Sequence, residues 1–196
     1  MDARRDGDAQ RSTAGPAFGR ILQQAKRGEE AALERLYRDL APSVLGYLRG
    51  QGAAEPEDLT SDVFVGMVRG LPRFEGNERG LRAWVFTIAH RRLLDERRRS
   101  IRRPFVLVDP HRMPSLPGPR GDTEEEAVSR LNGHRALGTL RSLTPEQRDV
   151  LLLRVIADLS VAQTAELLGK EEGAVKALQR RALARLARDH STAPVS

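Results

Sequence analysis

Hydrophobic residues recur at steps of three and four through the N-terminal half of the chain, with polar residues between them. This spacing places the apolar side chains on one face of an α-helix. The first two stripes consist of Phe18, Ile21, Leu22 and Ala25, and of Leu33, Leu36, Tyr37 and Leu40. Gly28 separates these two predicted helices, and Pro42 suits the first turn of a third helix, which carries Val44, Leu45 and Leu48.

Two further helices are predicted before residue 104. One opens after Pro56 and ends near Gly70 and Pro72, with an apolar stripe of Leu59, Val63, Met67, Val68 and Leu71. The turn-rich segment "RFEGNERG" at 73–80 follows. A long helix then begins with Leu81, Trp84, Val85 and Ile88 and ends in the run "DERRRSIRR". Because no alternating pattern of strand length appears, the predicted fold class is all-α.

The composition changes after residue 103. Residues 104–126 hold five of the eleven prolines and end in an acidic cluster, Asp122, Glu124, Glu125 and Glu126. Helical periodicity resumes at Leu137, Leu140 and Leu143, and a capping-box pattern follows at Thr144, Pro145 and Gln147. We therefore predict two small helical domains, 17–103 and 133–190, joined by a flexible linker at 104–132, with disordered tails at 1–16 and 191–196.

Residues 161–180 fit the spacing of a helix-turn-helix. That motif needs a small residue where its helices meet, a glycine in the left-handed turn and apolar anchors on the second helix. Ala165, Gly169, Val175 and Leu178 stand at these positions, and Ser160 can cap the first helix. The motif favours DNA binding by its second helix, and the alternative is an ordinary αα-hairpin with a solvated basic face.

Composition and charge limit the kinds of partner that the chain is expected to bind. The chain has 196 residues, of which 39% are hydrophobic and 31% charged, with a net charge of +6. A basic balance favours a polyanionic partner such as nucleic acid. No apolar run approaches the roughly 20 residues that a membrane span needs, and no secretory signal is recognisable, which predicts a cytoplasmic protein without a membrane partner. Cysteine is absent, so thiol chemistry within the chain is excluded.

The N-terminal domain offers two polar surfaces. Asp58 and Asp62 lie on the polar side of one predicted helix, and carboxylates on a basic protein suit a protein contact or simple solvation better than a phosphate. On the next helix a stripe of constant azimuth is formed by Trp84, Thr87, Arg91, Asp95 and Arg98. Its tryptophan can stack on an unpaired base or pack in the core, and its arginines suit a phosphate backbone.

The sequence gives little support for catalysis. His90, His111, His134 and His190 are scattered without the short spacing of metal ligands. The carboxylate pair Asp58 and Asp62 is accompanied by no glycine-rich phosphate loop, cysteine or triad. We therefore predict no enzyme, no metal and no cofactor.

Three stretches together resemble one known family over almost the whole chain. "PEDLTSDVFVGMVRGLPRF" resembles an acidic-leucine-threonine helix with its valine-phenylalanine pair, and "RAWVFTIAHRRLLDERRR" resembles the helix that follows it. "LRSLTPEQRDVLLLRVIADLSVAQTAELLGKEEGAVKALQRRALARL" resembles the C-terminal domain nearly end to end. In this order, the three stretches resemble the extracytoplasmic-function (ECF) sigma factors, two-domain members of the bacterial sigma-70 family.

The resemblance implies a transcription initiation factor that binds core RNA polymerase and directs it to promoters. The expected contacts with the clamp helices of the β′ subunit are Asp58, Leu59, Asp62, Val63 and Phe64. The N-terminal domain is expected to recognise and melt the −10 element, with the DNA contacts Phe74, Asn77, Arg79, Trp84, Thr87, Arg91, Arg92 and Arg98. An extruded base there would need stacking to offset its unpairing.

In the family the second helix of the C-terminal domain, here 172–186, reads the −35 element. The expected contacts are Glu172, Lys176, Gln179, Arg180 and Arg181, while the outer helices rest on the β flap. The resemblance further implies a monomer when free and admits an anti-sigma factor as a partner. The acidic linker cluster either mimics RNA charge or keeps the linker soluble.

Three departures from the family pattern affect the expected sites. Arg91 stands where an asparagine implicated in reading an extruded base is usual. The usual glutamate-isoleucine-alanine of the helix-turn-helix becomes Gln163, Thr164 and Ala165, and the usual serine and threonine around the glycine become Glu171 and Ala174. We expect Glu171 and Glu172 to alter promoter choice or affinity, since a glutamate can accept a hydrogen bond from cytosine N4.

Two other functions fit the same pattern. A conventional helix-turn-helix regulator would dimerise, bind a palindromic site without polymerase and use the first domain as a sensor. A sigma-like protein-interaction module would sequester an anti-sigma partner and support no promoter-specific transcription.

Overall fold

A computed structural model describes residues 15–102 and 138–191. Its elements are α1 (Gly15–Lys26), α2 (Glu30–Gly50), α3 (Pro56–Gly70), a 3₁₀ turn (Leu71–Arg73), α4 (Glu78–Arg102), α5 (Pro145–Val155), α6 (Val161–Leu168) and α7 (Glu172–Ser191). Within these ranges there are helices and no strand, which confirms the all-α fold class. The predicted linker with its acidic cluster lies outside the described residues, and α1 begins just inside the predicted N-terminal tail.

The N-terminal helices α1–α4 share one core. Val63 of α3 and Phe86 of α4 are fully buried around Tyr47 of α2, whose ring meets Phe86 edge-on with centroids 5.6 Å apart. Burying an apolar side chain of this size contributes about 1.5–3 kcal/mol. The apolar stripes predicted from the sequence therefore converge on this core, and the polar faces of α3 and α4 are left outside.

The prediction that Pro42 begins a new helix is wrong. Pro42 lies inside α2, which runs from Glu30 to Gly50. A proline in a helix interior removes one backbone hydrogen bond and usually bends or ends the helix. Here Leu40 and Val44 on either side of the proline are both buried in the same core, so tertiary packing offsets the lost hydrogen bond.

The predicted loop at 73–80 is shorter in the structure because α4 begins at Glu78. Asn77 closes its first turn: its side-chain oxygen accepts a hydrogen bond from the backbone N–H of Gly80 at 2.9 Å. Asparagine is favoured at this position since it satisfies an N–H that has no partner in the helix. The loop between the 3₁₀ turn and α4 is therefore 74–77.

The predicted caps at Thr144 and Ser160 and the turn of the helix-turn-helix are confirmed. The Thr144 hydroxyl accepts from the Gln147 N–H at 3.3 Å, and the Gln147 side chain accepts from the Thr144 N–H at 3.2 Å. Ser160 forms the same reciprocal cap with Gln163 at the start of α6. Gly169 ends α6 with φ of 62°, a left-handed conformation that glycine adopts at no steric cost.

The C-terminal helices α5 and α6 pack directly against the N-terminal helices. Leu152 and Leu153 of α5 are buried in the cluster that contains Tyr47 and Phe86. Neither the sequence pattern nor the linker prediction anticipated this contact. No described helix is long and apolar enough to cross a membrane.

Candidate promoter and polymerase interfaces

The DNA-reading candidate α7 is fixed by its apolar side. Val175 is fully buried and Leu178 nearly so, and both pack with Val150 of α5 and Ala165 of α6. Ala182 continues this face one turn later. Because the buried side is held by two other helices, the opposite side of α7 has a defined orientation.

That opposite side carries four of the five residues predicted to meet the −35 element. Glu172, Lys176, Arg180 and Arg181 are exposed. Lys176 Nζ lies 3.6 Å from a carboxylate oxygen of Glu172, one turn away. Such an exposed pair contributes at most about 1 kcal/mol, so a DNA phosphate can compete for the lysine.

The fifth residue, Gln179, lies at the edge of the buried side. Its side-chain oxygen accepts a hydrogen bond from Nε of Arg154 in α5 at 3.3 Å, and the residue is half-buried. Arg154 in turn donates to the backbone carbonyl of Leu159. The structure therefore places Gln179 against α5, apart from the exposed face of α7.

The acidic turn before α7 has a partner that the sequence did not indicate. Lys170 Nζ lies 2.7 Å from a carboxylate oxygen of Glu146, which links the turn to the first turn of α5. The hydrogen bond from Lys170 holds the pKa of the Glu146 carboxyl below its usual range. Glu171 and Glu172 remain exposed beside this link.

On α4 the stripe predicted to meet the −10 element is exposed from Arg91 onward, whereas Trp84 packs against the core. Arg91 and Arg98 are exposed, and Arg98 contacts Asp95 at 3.2 Å. Thr87 is half-buried and its hydroxyl donates to the Ala83 carbonyl at 2.9 Å. Arg92 is also half-buried, so Arg79, Arg91 and Arg98 are the exposed cations of the predicted set on this helix.

The aromatic side chains at the start of this surface pack on each other. The rings of Phe74 and Trp84 are stacked with centroids 5.2 Å apart and planes 25° apart. A side-chain carbon on Gly70 would lie 2.7 Å from the indole, so glycine is needed where α3 ends. Both rings are half-buried. This geometry favours the packing interpretation of Trp84 over a free stacking platform.

The loop residues of the predicted −10 site are tied to neighbouring backbone. The side-chain oxygen of Asn77 is used in the cap of α4, as described above. Arg79 is exposed, and its backbone carbonyl accepts a hydrogen bond from Nε2 of Gln163 in α6 at 3.1 Å. A residue of the helix-turn-helix thus contacts the loop predicted to read the −10 element.

Only two of the five predicted polymerase contacts lie on the surface of α3. Asp58 and Asp62 are exposed, whereas Leu59, Val63 and Phe64 are buried in the core. The two carboxylates line an open cleft of about 550 Å³, whose other charged residues include Glu55, Glu96 and Arg99. The three buried side chains therefore hold α3 against the core, and the two carboxylates form the accessible surface of this helix.

A buried polar pair lies beside Arg91. The Tyr47 hydroxyl is 2.8 Å from Nδ1 of His90. Burial lowers the pKa of His90, with Arg97 acting in the same direction and Asp149 opposing it. Burial likewise raises the pKa of Tyr47. No group of three or more potential metal ligands exists among the described residues.

Comparison with known proteins matches both parts of the chain. The family model of Sigma-70 region 2 matches residues 35–103, and that of Sigma-70 region 4 matches residues 134–186. The chain is 34% identical over 174 residues to the ECF RNA polymerase sigma factor BldN of Streptomyces coelicolor, covering 86% of this chain and 64% of BldN. It is 32% identical over 177 residues to the ECF sigma factor ShbA of Streptomyces griseus, covering 86% of this chain and 93% of ShbA.

A solved structure supports the fold. CnrH, in complex with the cytosolic domain of CnrY, aligns with a TM-score of 0.64 at 23% identity, covering 91% of this chain and 99% of CnrH. The region 2 match contains α3 and α4, and the region 4 match contains α5 and α6. The chain therefore belongs to the ECF group of the sigma-70 family and is a transcription initiation factor that directs RNA polymerase to promoters.

Proposed function

We propose that this sigma factor divides promoter recognition between the exposed face of α7 and the outer face of α4, while the carboxylates of α3 dock on the polymerase. The observation that supports this division best is the face of α7, where Lys176, Arg180 and Arg181 are exposed opposite the buried anchor Val175. Such a helix fits the major groove, in which base edges are distinguishable.

At the −35 element, Lys176 and Arg180 supply the main contacts. A guanidinium or ammonium group binds phosphates or the O6 and N7 acceptors of guanine. Glu172 lies beside Lys176 and can accept from cytosine N4, which makes this pair a source of promoter choice. Gln179 ties α7 to α5 through its hydrogen bond with Arg154, and it meets DNA only at the edge of the interface.

At the −10 element, Arg91 and Arg98 hold the phosphate backbone while the strands separate. Extruding a base costs a few kcal/mol, which contacts to the extruded base must offset. Trp84 is stacked on Phe74, so this aromatic pair forms a wall of the site rather than an open platform. Arg91, exposed at the position of the usual asparagine, contributes charge in place of an amide.

For polymerase binding, Asp58 and Asp62 meet the clamp helices of the β′ subunit, and the outer C-terminal helices rest on the β flap. Exposed carboxylates at the cleft suit a basic protein surface through charge complementarity.

An anti-sigma factor is a further proposed partner, since the similar protein CnrH was solved in complex with CnrY. The site of action is then the cytoplasm, where RNA polymerase and DNA meet.

Transcription from a promoter library tests this function. The protein is mixed with sigma-free core RNA polymerase, and transcript starts are sequenced with and without it. We expect new starts preceded by a shared pair of sequence motifs. Duplex binding without new starts would indicate a conventional regulator, and neither activity would indicate an interaction module.

A further inference from the structure

Apolar packing does not reach the N-terminal end of α7. The first buried side chain of this helix is Val175, and the buried face continues with Leu178 and Ala182 against α5 and α6. The residues at 171–174, which precede this face, are all exposed. We call residues 170–174 the entrance of α7. The orientation of the entrance therefore depends on contacts other than apolar packing.

Lys170 ties the entrance to both neighbouring helices. Its backbone N–H donates to the Ala165 carbonyl of α6 at 2.9 Å. Its side-chain Nζ donates to a carboxylate oxygen of Glu146 in α5 at 2.7 Å. The Lys170 side chain is 30% exposed, whereas the lysine of the Lys176–Glu172 pair is 64% exposed and lies farther from its carboxylate. The Lys170–Glu146 pair therefore joins the entrance to the first turn of α5 and is less solvated than the pair on α7 itself.

Charge alone gives Glu146 no favourable role in DNA binding. The hydrogen bond and charge of Lys170 hold the pKa of the Glu146 carboxyl below its ordinary value, and Arg181 of α7 acts in the same direction. Arg181 is exposed and is one of the proposed −35 contacts. A carboxylate that attracts such cations weakens their attraction for phosphates. A favourable effect of Glu146 on −35 recognition must then pass through the orientation of the entrance.

We propose that Glu146 is a positioning residue for the −35 element, which holds the entrance of α7, through Lys170, in the orientation that enters the major groove. This inference rests on the proposed reading of the −35 element by α7. An entrance that moves freely must be ordered when DNA binds, and that ordering lowers the apparent affinity. A single exposed ion pair accounts for no more than about a fivefold change in affinity.

Glu146→Met separates positioning from charge, because methionine keeps the length of the side chain but cannot pair with Lys170. If only charge mattered, loss of this anion would strengthen DNA binding and raise transcription. We expect instead that transcription by the reconstituted holoenzyme falls about threefold to fivefold at promoters with a −35 element. Glu166→Met, which removes the same charge from an exposed position of α6, is the control and should not lower transcription.

The loss should be confined to templates that carry the −35 element. On a template that lacks this element and whose −10 segment is already melted, the wild-type and Glu146→Met proteins should give equal transcription. Lys170→Met should reproduce the loss, and the double variant should be no weaker than either single variant, because the two residues act as one unit. Lys170→Arg keeps a charged donor and should stay within about twofold of wild type. Unchanged or higher transcription by Glu146→Met at −35 promoters, or an equal fall on both templates, would overturn the proposal.

The link itself can be measured in the free protein, without polymerase or DNA. In an NMR titration of the side-chain carboxyl carbons, Lys170→Met should raise the pKa of Glu146 toward its ordinary value. An unchanged pKa would show that the pair does not form in solution, and the proposal would fail. If the wild-type protein directs no transcription from any promoter, the proposed function fails instead, and the titration still decides whether Glu146 holds Lys170.

Discussion

At the scale of single residues, the division of α7 into a buried and an exposed side separates its anchoring side chains from those proposed to meet DNA. Sequence spacing alone predicted Ala165 as the close contact and Val175 and Leu178 as anchors, and the structure confirms all three as buried. The position of Gln179 was not predictable, because its hydrogen bond with Arg154 joins residues far apart in the chain. Helical periodicity predicts which face of a helix is buried. It does not decide whether a residue at the edge of that face is exposed or bonded to a neighbouring helix.

Lys176→Ala combined with Arg180→Ala should lower promoter-dependent transcription about tenfold to a hundredfold, since each removes one exposed cation from the face of α7. Binding to core polymerase should be unchanged, as measured by co-elution. The matched control is Arg27→Ala with Arg35→Ala, which removes the same charge from exposed ion pairs on the N-terminal side. An equal loss of core binding and transcription would argue against the assignment of these residues to DNA.

His90 predicts a pH dependence of stability. Burial lowers its pKa in the folded protein below the ordinary value near 6.5, so the unfolded chain binds more protons once the pH falls toward that value. The free energy of unfolding should therefore fall as the pH drops through about 6.5, and should be retained above it. Denaturant titrations at several pH values would show a smaller fall for His90→Gln. An identical fall in both proteins would locate the titration elsewhere.

At the scale of elements, the helix ends were more predictable than the helix interiors. The capping box at Thr144 and the cap at Ser160 were both predicted and are both present, because a cap depends only on residues within one turn. Pro42 was misassigned because its effect depends on whether the two halves of α2 find the same core, which is a tertiary property. The shortened loop has a local cause instead: Asn77 caps α4, which begins at Glu78, by accepting from the Gly80 N–H.

Ser160→Ala should lower the free energy of unfolding by about 1 kcal/mol, because the N–H of Gln163 loses its acceptor at the start of α6. Urea denaturation followed by circular dichroism measures the change. Ser61→Ala is the control: its hydroxyl bonds within a helix turn and is exposed, so its removal should change the free energy by about 0.5 kcal/mol or less. A Ser160 variant as stable as that control would contradict the cap's contribution.

At the scale of the whole molecule, the packing of α5 on α2 is the feature that the sequence least indicated. Gly46 and Gly50 of α2 lie against Ile156 and Leu152, and Gln51 donates a hydrogen bond to Asp149 of α5. Contacts of this kind join residues across the linker, and no local period encodes them. The family resemblance, in contrast, was carried by local motifs and is confirmed for both parts of the chain.

In the proposed function, two separate faces of one chain direct the polymerase to two promoter elements at once. Footprinting of a selected promoter by core polymerase with this protein tests it most directly. We predict protection of two separate segments, at the −35 and the −10 element, with the upstream segment lost in the Lys176→Ala and Arg180→Ala protein. A single protected segment, or an upstream segment that survives those substitutions, would contradict this division of promoter recognition between α7 and α4.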